Sequence, residues 1–300
     1  MAMYLMDQTD AVSGHTQKGI EFLERFGQFI KERATIEEEY AQKLRNLVKK
    51  SKNKKNDEEE CKVYSYMSAF YSILSELDSL AAQHEVVGEK MKKEIVPTIL
   101  EKSQVLRAGR KKHIQELQAL NTSFNEQVEN MAKLEKTYGK AFKDAQIAHV
   151  KYEKADKNYE LSRLDVDRAK NNVHQKNQIC EQAKQSYAHG LESANQAQHN
   201  YYNQSLPNLL EEMRKLDMSR IETTKSAMLE SVNAERSVSS IVQRCYSDME
   251  SAISTINPEK DTLVVVEQHR SGYALPADFR FNDLGCPHRW LPNLWWMEQL

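Results

Sequence analysis

Apolar side chains between Leu117 and Tyr159 recur at every third or fourth position, with charged and amide residues between them. The mean step is about 3.5 residues, which is the period of a coiled-coil seam. One helix cannot bury such a seam alone, so the pattern requires a matching helix from the same chain, from a second copy or from both. The seam residues are Leu117, Leu120, Phe124, Val128, Met131, Leu134, Tyr138, Phe142, Ala145, Ala148, Tyr152, Ala155 and Tyr159.

The same spacing continues on both sides of this seam and predicts three long helices. The first runs from about residue 15 to residue 50. The second runs from about 57 to 159 and kinks at Pro97 without ending, because the apolar pattern resumes directly after the proline. The third runs from about 162 to 256 and bends at Pro207.

A tight turn should join the second and third helices. Ser162 is followed three residues later by Asp165, which resembles a capping box and can start a new helix. We therefore place a reversal of direction at about residues 158–162. Two matched arms around one sharp turn predict an all-α, elongated, antiparallel helical bundle.

The two ends of the chain differ from this pattern. A lead-in over residues 5–13 is broken near Gly14. Asn257-Pro258 ends the third helix, a short helix follows over 258–269, and the segment after it reads as extended up to residue 285. Residues 286–300 hold all three tryptophans. This tail is an alternative terminus, an artefact, or a segment that contacts a partner or a lipid surface.

Composition supports long helices and bears on the class of protein. Charged residues make up 29% of the chain and the net charge is -2, so no global excess of cations demands nucleic acid. The four cysteines are scattered without a C-x-x-C pair, which argues against a zinc site or a disulfide framework. Neither a signal peptide nor an apolar run of about 18 residues is found, so we expect a cytoplasmic protein without a transmembrane span.

No catalytic motif is complete in this sequence. His84-Glu85 starts like H-E-x-x-H, but Gly88 stands where the second metal ligand should be. An enzyme with a di-metal site in a helical bundle would need paired E-x-x-H motifs, and none is suitably placed. We therefore expect no enzymatic activity, no metal site and no cofactor.

Cations gather in three clusters that are separated along the predicted rod. Three clusters on one rigid rod can contact one extended anionic surface, and each cation near an anionic leaflet contributes about 1 kcal/mol. The alternative is that they are ordinary solvated faces of a charged coiled coil. The clusters are Lys31, Arg33, Lys43, Arg45, Lys49, Lys50, Lys52, Lys54 and Lys55; Arg107, Arg110, Lys111 and Lys112; and Lys151, Lys154, Lys157, Arg163, Arg168 and Lys170.

The stretch FIKERATIEEEYAQKLRNLVKK, residues 29–50, resembles the FCH signature of F-BAR domains in its pattern E-R-x-x-I-E-x-x-Y-A-x-x-L-R-x-L. Further stretches resemble the Toca family, the GTPase-interacting F-BAR proteins that promote actin assembly. They are LMDQ (5–8) with HTQKGIEFLER (15–25), QHEVV (83–87), LDVDRAK (164–170) and SGYALPADFRFNDL (271–284). The likeness covers roughly residues 4–285.

This resemblance implies one F-BAR domain over residues 1–285, folded as a curved antiparallel homodimer. It also implies binding of phosphatidylserine and phosphoinositides by a basic concave face, and bending of bilayers in endocytosis and actin-linked membrane remodelling at the plasma membrane, endocytic vesicles and cell cortex. We expect dimer packing along the Leu117–Tyr159 seam to fix the curve. By position, the implied lipid contacts are Lys31, Arg33, Lys49, Lys50, Lys54, Lys55, Lys62, Arg110 and Lys111, with further tip contacts at Lys154, Lys157, Arg163 and Lys170.

The sequence also departs from the family. Met6, Thr9 and Lys18 stand where the family start usually has Trp or Phe, and Pro97 is not part of the family pattern. The GTPase-binding coiled coil and SH3 domain that family members carry do not fit after Gly285. The rival interpretation is a coiled-coil protein that links protein partners and does not bind lipid directly.

Overall fold

Across the residues that the structure describes, 6–52 and 57–285, the chain folds into eight α-helices and no strand. The structure is a computed structural model. The predicted all-α architecture of long antiparallel helices is confirmed. The helices are α1 (Thr9–Ser51), α2 (Asp57–Val63), α3 (Ser65–Lys90), α4 (Val96–Asp156), α5 (Arg163–Asn200), α6 (Leu206–Arg236), α7 (Ser239–Ser254) and α8 (Pro258–His269), with π-helical turns at Met91–Ile95 and Tyr201–Ser205.

The central part of the molecule is a bundle in which α1, α3, α6 and the first half of α4 share one core. Ile20 and Leu23 of α1 are completely buried, and Ile99 of α4 is 1% exposed. Apolar residues at helical spacing bring these side chains to the inner face of each helix. Gly88 lets α3 approach α1 closely, because a Cβ at that position would lie 3.0 Å from the carbonyl oxygen of Ala34.

Beyond Leu117, α4 and α5 form a two-helix unit that we call the distal arm. The 61 residues of α4 extend about 90 Å at 1.5 Å per residue. Phe124 stacks on Tyr201 with 4.9 Å between ring centroids, and Tyr138 stacks on Tyr187 at 6.1 Å. The seam that begins at Leu117 is therefore covered in part by a helix of the same chain.

This packing supplies one partner for the seam from within the chain. Ala145 and Ala148 of the seam are buried in the distal arm of a single chain. The last residue assigned to the seam, Tyr159, lies in the turn after α4 and is fully exposed. Val128 and Phe142 of the seam are 37% and 46% exposed, so whether a second copy contacts this part of the seam stays a prediction.

Pro97 and Pro207 each follow a π turn by two residues. Proline has no amide hydrogen, and its ring clashes with the carbonyl group four residues earlier in an α-helix. In the first π turn the amide of Val96 instead bonds to the carbonyl of Met91, five residues back, and the second turn repeats this bond. The kink and the bend predicted at the two prolines thus correspond to π turns, and neither proline ends the helical path.

Other helix boundaries differ from the prediction. α1 begins at Thr9 and runs through Gly14 without a break, because packing of its neighbours Ser13 and Thr16 against the bundle outweighs the low helix propensity of glycine. The second predicted helix is interrupted at the extended residue Tyr64 and ends at Asp156. The third is interrupted between α6 and α7 and ends at residue 254.

Capping side chains fix the hairpin turn and the start of α8. The side chain of Ser162 accepts a hydrogen bond from the amide three residues later at 3.3 Å, as predicted. Asn257 caps α8 in the same way at 2.9 Å, and α8 has the predicted bounds. The carboxylate of Asp261 accepts from the amide of Ser65 at 2.8 Å and from its hydroxyl at 2.7 Å. This contact joins α8 to the start of α3.

Candidate functional site

Exposed lysines of α1 and α4 lie on one side of the central bundle. Lys31 and Lys49 are 18 residues apart on α1, which is about five turns, so their side chains point in the same direction. Lys111 of α4 belongs to the same side. Arg107 lies one turn before Lys111, and Glu24 lies about two turns before Lys31, so each shares the side of that lysine. Arg107 and Glu24 form an ion pair, which brings the two sides together. We call the surface formed by Lys31, Lys49 and Lys111 the basic face, and all three side chains are exposed.

Ion pairs occupy the surface between these lysines and link α1 to α3, to α4 and to the π turn between them. The hydrogen bonds from Arg107 lower the pKa of Glu24 below its ordinary value, so this carboxylate is ionised at neutral pH. Because the cations of these pairs are already neutralised, the net positive charge of the basic face comes from its three lysines. The pairs are Arg107–Glu24 at 2.6 Å, Lys92–Glu38 at 2.8 Å and Arg45–Glu85 at 2.6 Å.

Arg33, a predicted lipid contact, lies between two carboxylates. Its guanidinium contacts Glu37 at 2.7 Å and Glu235 of α6 at 3.0 Å. The Glu37 side chain is 10% exposed and also contacts Nδ1 of His84 at 2.6 Å. Burial alone would raise the pKa of Glu37, but the hydrogen bonds from Arg33 and His84 outweigh it and hold the pKa below its ordinary value. The charge of Arg33 is therefore compensated within the bundle.

The other predicted contacts near the bundle fall into three groups. Arg110 is half-buried, and its Nε donates to a carbonyl oxygen near the start of α1 at 2.9 Å. Lys50 and Lys62 are exposed at the ends of α1 and α2. Lys54 and Lys55 lie outside the described residues. Arg110 thus holds α1 in place, while Lys50 and Lys62 are accessible.

The predicted tip residues are exposed but remote from the basic face. Lys154, Lys157, Arg163 and Lys170 surround the turn between α4 and α5. Lys154 follows Lys111 by 43 residues on the same helix, a distance of about 65 Å. A row of exposed lysines on α4 lies between the two groups and was not among the predicted site residues. Its three-or-four spacing in the sequence was the available signal. The added residues are Lys136, Lys140 and Lys143.

No group of three or more His, Cys, Asp or Glu side chains in the described part of the chain is arranged to hold a metal ion. No helix within 6–52 and 57–285 has the length and apolar character that crossing a bilayer requires.

Known proteins show similarity over most of this chain. The family model FCH, described as the Fes/CIP4 and EFC/F-BAR homology domain, matches residues 8–86. The Transducer of Cdc42-dependent actin assembly protein 1 homolog of Caenorhabditis elegans is 37% identical over 284 residues, which cover 94% of this chain and 48% of that protein. Human Formin-binding protein 1-like is 31% identical over 279 residues, 93% of this chain and 46% of that protein. The chain spans about half the length of these curated relatives.

Solved structures share the fold over about nine-tenths of the chain. The F-BAR domain of Hof1p matches with a TM-score of 0.77 at 14% identity, covering 89% of this chain and 94% of that one. The Imp2 F-BAR domain matches with a TM-score of 0.71 at 13% identity, covering 91% and 88%. At these identities the match concerns the fold alone.

Proposed function

The chain belongs to the F-BAR family, and from that membership we propose that it is a curved, non-catalytic scaffold whose basic face binds anionic phospholipids. One observation carries the proposal: Lys31, Lys49 and Lys111 lie exposed on one side of the bundle without a carboxylate partner among the described residues. The cations that lie between them, Arg45, Lys92 and Arg107, are paired. Unpaired cations on one side of a rigid helical body suit a flat or gently curved anionic surface.

The strength of this electrostatic attraction favours a dimer as the binding unit. Each lysine near an anionic leaflet contributes about 1 kcal/mol, so the three lysines of one chain provide only about 3 kcal/mol. A two-fold assembly that presents both basic faces to one bilayer doubles this to about 6 kcal/mol. We therefore expect a single chain to bind the bilayer weakly and the dimer to bind it more strongly.

Exposed apolar rows on α1 and α6 support a homodimer. On α1, the row has steps of seven, seven, four and seven residues, which keeps it on one side of the helix. Arg33 of α1 contacts Glu235 of α6, so the two rows belong to neighbouring helices. Their members, each more than a third exposed, are Phe22, Phe29, Ile36, Tyr40 and Leu47 on α1 and Met218, Ile221, Met228, Leu229 and Val232 on α6. We propose that these rows are covered by a second copy of the chain.

The proposed ligands are phosphatidylserine and phosphoinositides, because anionic lipids give the cytoplasmic leaflet its negative surface potential. The corresponding location is peripheral, on the cytoplasmic side of the plasma membrane and of endocytic vesicles. The name of the Caenorhabditis elegans relative links that protein to actin assembly. That link supports a role for this chain in endocytosis and actin-linked membrane remodelling, in which many dimers act together to bend the bilayer.

Reversing the charge of the basic face tests this function. The variant Lys31→Glu with Lys49→Glu should lose most of its cosedimentation with phosphatidylserine vesicles at about 0.1 M salt. At about 1 M salt, where the Debye length falls to about 3 Å, wild-type binding should fall as well. We exclude Arg33 from the variant because Arg33→Glu would bring a third acid beside Glu37 and Glu235 and would disturb the fold.

The matched control is Lys184→Glu with Lys215→Glu. It makes the same change in net charge on α5 and α6, at lysines whose side chains are 59% and 61% exposed. Their ion pairs with Glu181 and Glu212 lie at the surface, where such pairs contribute little to stability. The control should bind as the wild type does. Equal binding by all three proteins would remove the basic face from the lipid-binding site. No vesicle binding by a folded wild-type dimer would favour a protein-linking coiled coil.

A further inference from the structure

A straight row of exposed side chains follows the distal arm on α4. Its members recur in alternating steps of three and four residues on one uninterrupted helix, which places them on one side of it. Lys133 pairs with Glu129 at 3.8 Å, and no ion pair is found for the other lysines of the row among the described residues. We call this set the arm row; it consists of Lys133, Lys136, Lys140, Lys143, Ile147, Val150 and Lys154.

Two apolar side chains interrupt the lysines of the arm row. Ile147 is 53% exposed and Val150 is 50% exposed, although both lie on a helix whose inner face is filled by alanines. Together with Lys151 and Lys154 they line a shallow depression on the surface. An apolar pair with lysines on both sides is the arrangement that inserts at a bilayer interface, because lysine stems lie along apolar surface while their ammonium groups reach the headgroups.

The opposite helix of the distal arm lacks this character. Residues 133–154 of α4 carry six lysines against three acids. Residues 171–185 of α5 carry two lysines against one acid, and both lysines, Lys176 and Lys184, are ion-paired. The exposed positions of α5 there are mostly amides, including Gln178 and Gln182. Positive charge therefore lies on one side of the arm.

The arm row points in the same direction as the basic face. Lys143 follows Arg107 by 36 residues, and Ile147 follows Lys111 by 36 residues. On a helix of about 3.6 residues per turn, 36 residues make about ten full turns, so each later side chain returns to the direction of the earlier one. The arm row is thus an extension of the surface that Lys111 occupies.

From this geometry we infer that the arm row is a second membrane-contact surface, in which lysines bind anionic headgroups and Ile147 with Val150 enters the boundary between headgroups and acyl chains. The inference rests on the proposed function of the basic face. The inference adds an apolar contribution to membrane binding. Salt should screen the contribution of the lysines, while the contribution of Ile147 and Val150 should persist at high salt.

The charge of the row is tested with Lys136→Gln and Lys143→Gln together. Losing two cations per chain removes four from the dimer and should weaken binding to phosphatidylserine vesicles by about 700-fold. The matched control is Gln178→Glu with Gln182→Glu, which makes the same change in net charge on α5 and should bind as the wild type does. Circular dichroism and molar mass should be unchanged in both, because all four positions are exposed.

The apolar pair is tested with Ile147→Ser and Val150→Ser together, against Ile179→Ser on α5, which is 45% exposed in the wild type. The pair variant should lose the binding that remains at high salt, and the control should keep it. In the unmodified protein, residues 136–154 should gain protection from amide exchange on phosphatidylserine vesicles and not on neutral phosphatidylcholine vesicles.

Wild-type binding by both row variants would overturn the inference while leaving the proposed function intact, provided that Lys31→Glu with Lys49→Glu still abolishes binding. If the pair variant binds vesicles normally but no longer bends them, the inference is also overturned, because Ile147 and Val150 would then contact another copy of the chain. If the basic-face variant binds normally as well, both proposals fail.

Discussion

Glu37 and Arg220 show how single residues carry charge inside this bundle. Glu37 is held between Arg33 and His84, as described above. Arg220 is 8% exposed and contacts Asp217 at 2.8 Å. Gly19 leaves room for it, because a Cβ at that position would overlap the guanidinium group. Each buried charge therefore has a partner, which is the condition under which burial of a charge is tolerated.

Replacing Glu37 by Gln should lower the free energy of unfolding by about 2 kcal/mol at neutral pH, because hydrogen bonds to charged groups contribute about 1.5–3 kcal/mol. The folded-state pKa of Glu37 is depressed. Its stabilisation is therefore present above the pKa of the unfolded chain and is lost as the pH falls through the folded-state pKa. Denaturant unfolding of both proteins at neutral and acid pH should show the difference shrinking in acid.

The control for this residue is Glu39→Gln on the same helix. Glu39 is 62% exposed and contacts Lys43 at 3.5 Å, so its replacement should change stability by no more than about 0.5 kcal/mol. Equal losses in the two variants, or a difference that persists in acid, would contradict the role given to Glu37.

Among whole elements, α8 is attached to the bundle by few contacts. Asp261 accepts two hydrogen bonds from Ser65, while Tyr64 donates to Gln268 at 3.0 Å. The hydrogen bond from the amide of Ser65 is the main cause that lowers the pKa of Asp261. The start of α3 thus depends on a carboxylate supplied by a helix almost 200 residues later.

The variant Asp261→Asn should loosen α8, because an amide has one acceptor oxygen where the carboxylate has two. Amide exchange in residues 258–269 should become faster, while exchange in α1 stays unchanged. The wild type should show the same loosening as the pH falls through the depressed pKa of Asp261. Glu259→Gln, in the same first turn of α8, is the control, and faster exchange in that variant would argue against a specific contact.

The sequence predicts those elements whose signals are local. Ser162 and Asn257 each cap a helix by bonding to the amide three residues later, so the hairpin turn and α8 can be predicted from nearby residues in the sequence. The break at Tyr64 has no such signal, because it depends on Asp261 reaching the next two amides. For the candidate site, charge spacing identifies Lys31. The ion pair between Arg33 and Glu235 joins residues about 200 positions apart, so no sequence pattern near Arg33 predicts it.

For the whole molecule, the assembly is the property on which membrane binding depends. Phe29→Asp with Ile36→Asp places charge in the exposed row of α1, where the side chains are 57% and 60% exposed in one chain. The variant should be monomeric in light scattering, because burying unpaired carboxylates in an interface costs more than the contact gains. Its vesicle binding should fall by more than tenfold, since three lysines then act without their symmetry mates.

Ile179→Asp is the control for the dimer, because Ile179 is 45% exposed on α5, away from both rows. That variant should remain dimeric and bind vesicles. A dimer of unchanged mass with aspartates at positions 29 and 36 would place the interface on another surface, and the rows on α1 and α6 would need a different occupant.

The π turn at Met91–Ile95 lies directly before the longest helix that the structure describes, α4. α4 starts directly after it and extends about 90 Å, so a rotation of about 5° at this turn displaces the far end of the arm by about 8 Å. A small repacking around Met91 and Ile95, both buried in the core, is therefore magnified into a large change in the reach of the arm. We therefore expect substitutions of side chains at the centre of the molecule to change the reach of the distal arm.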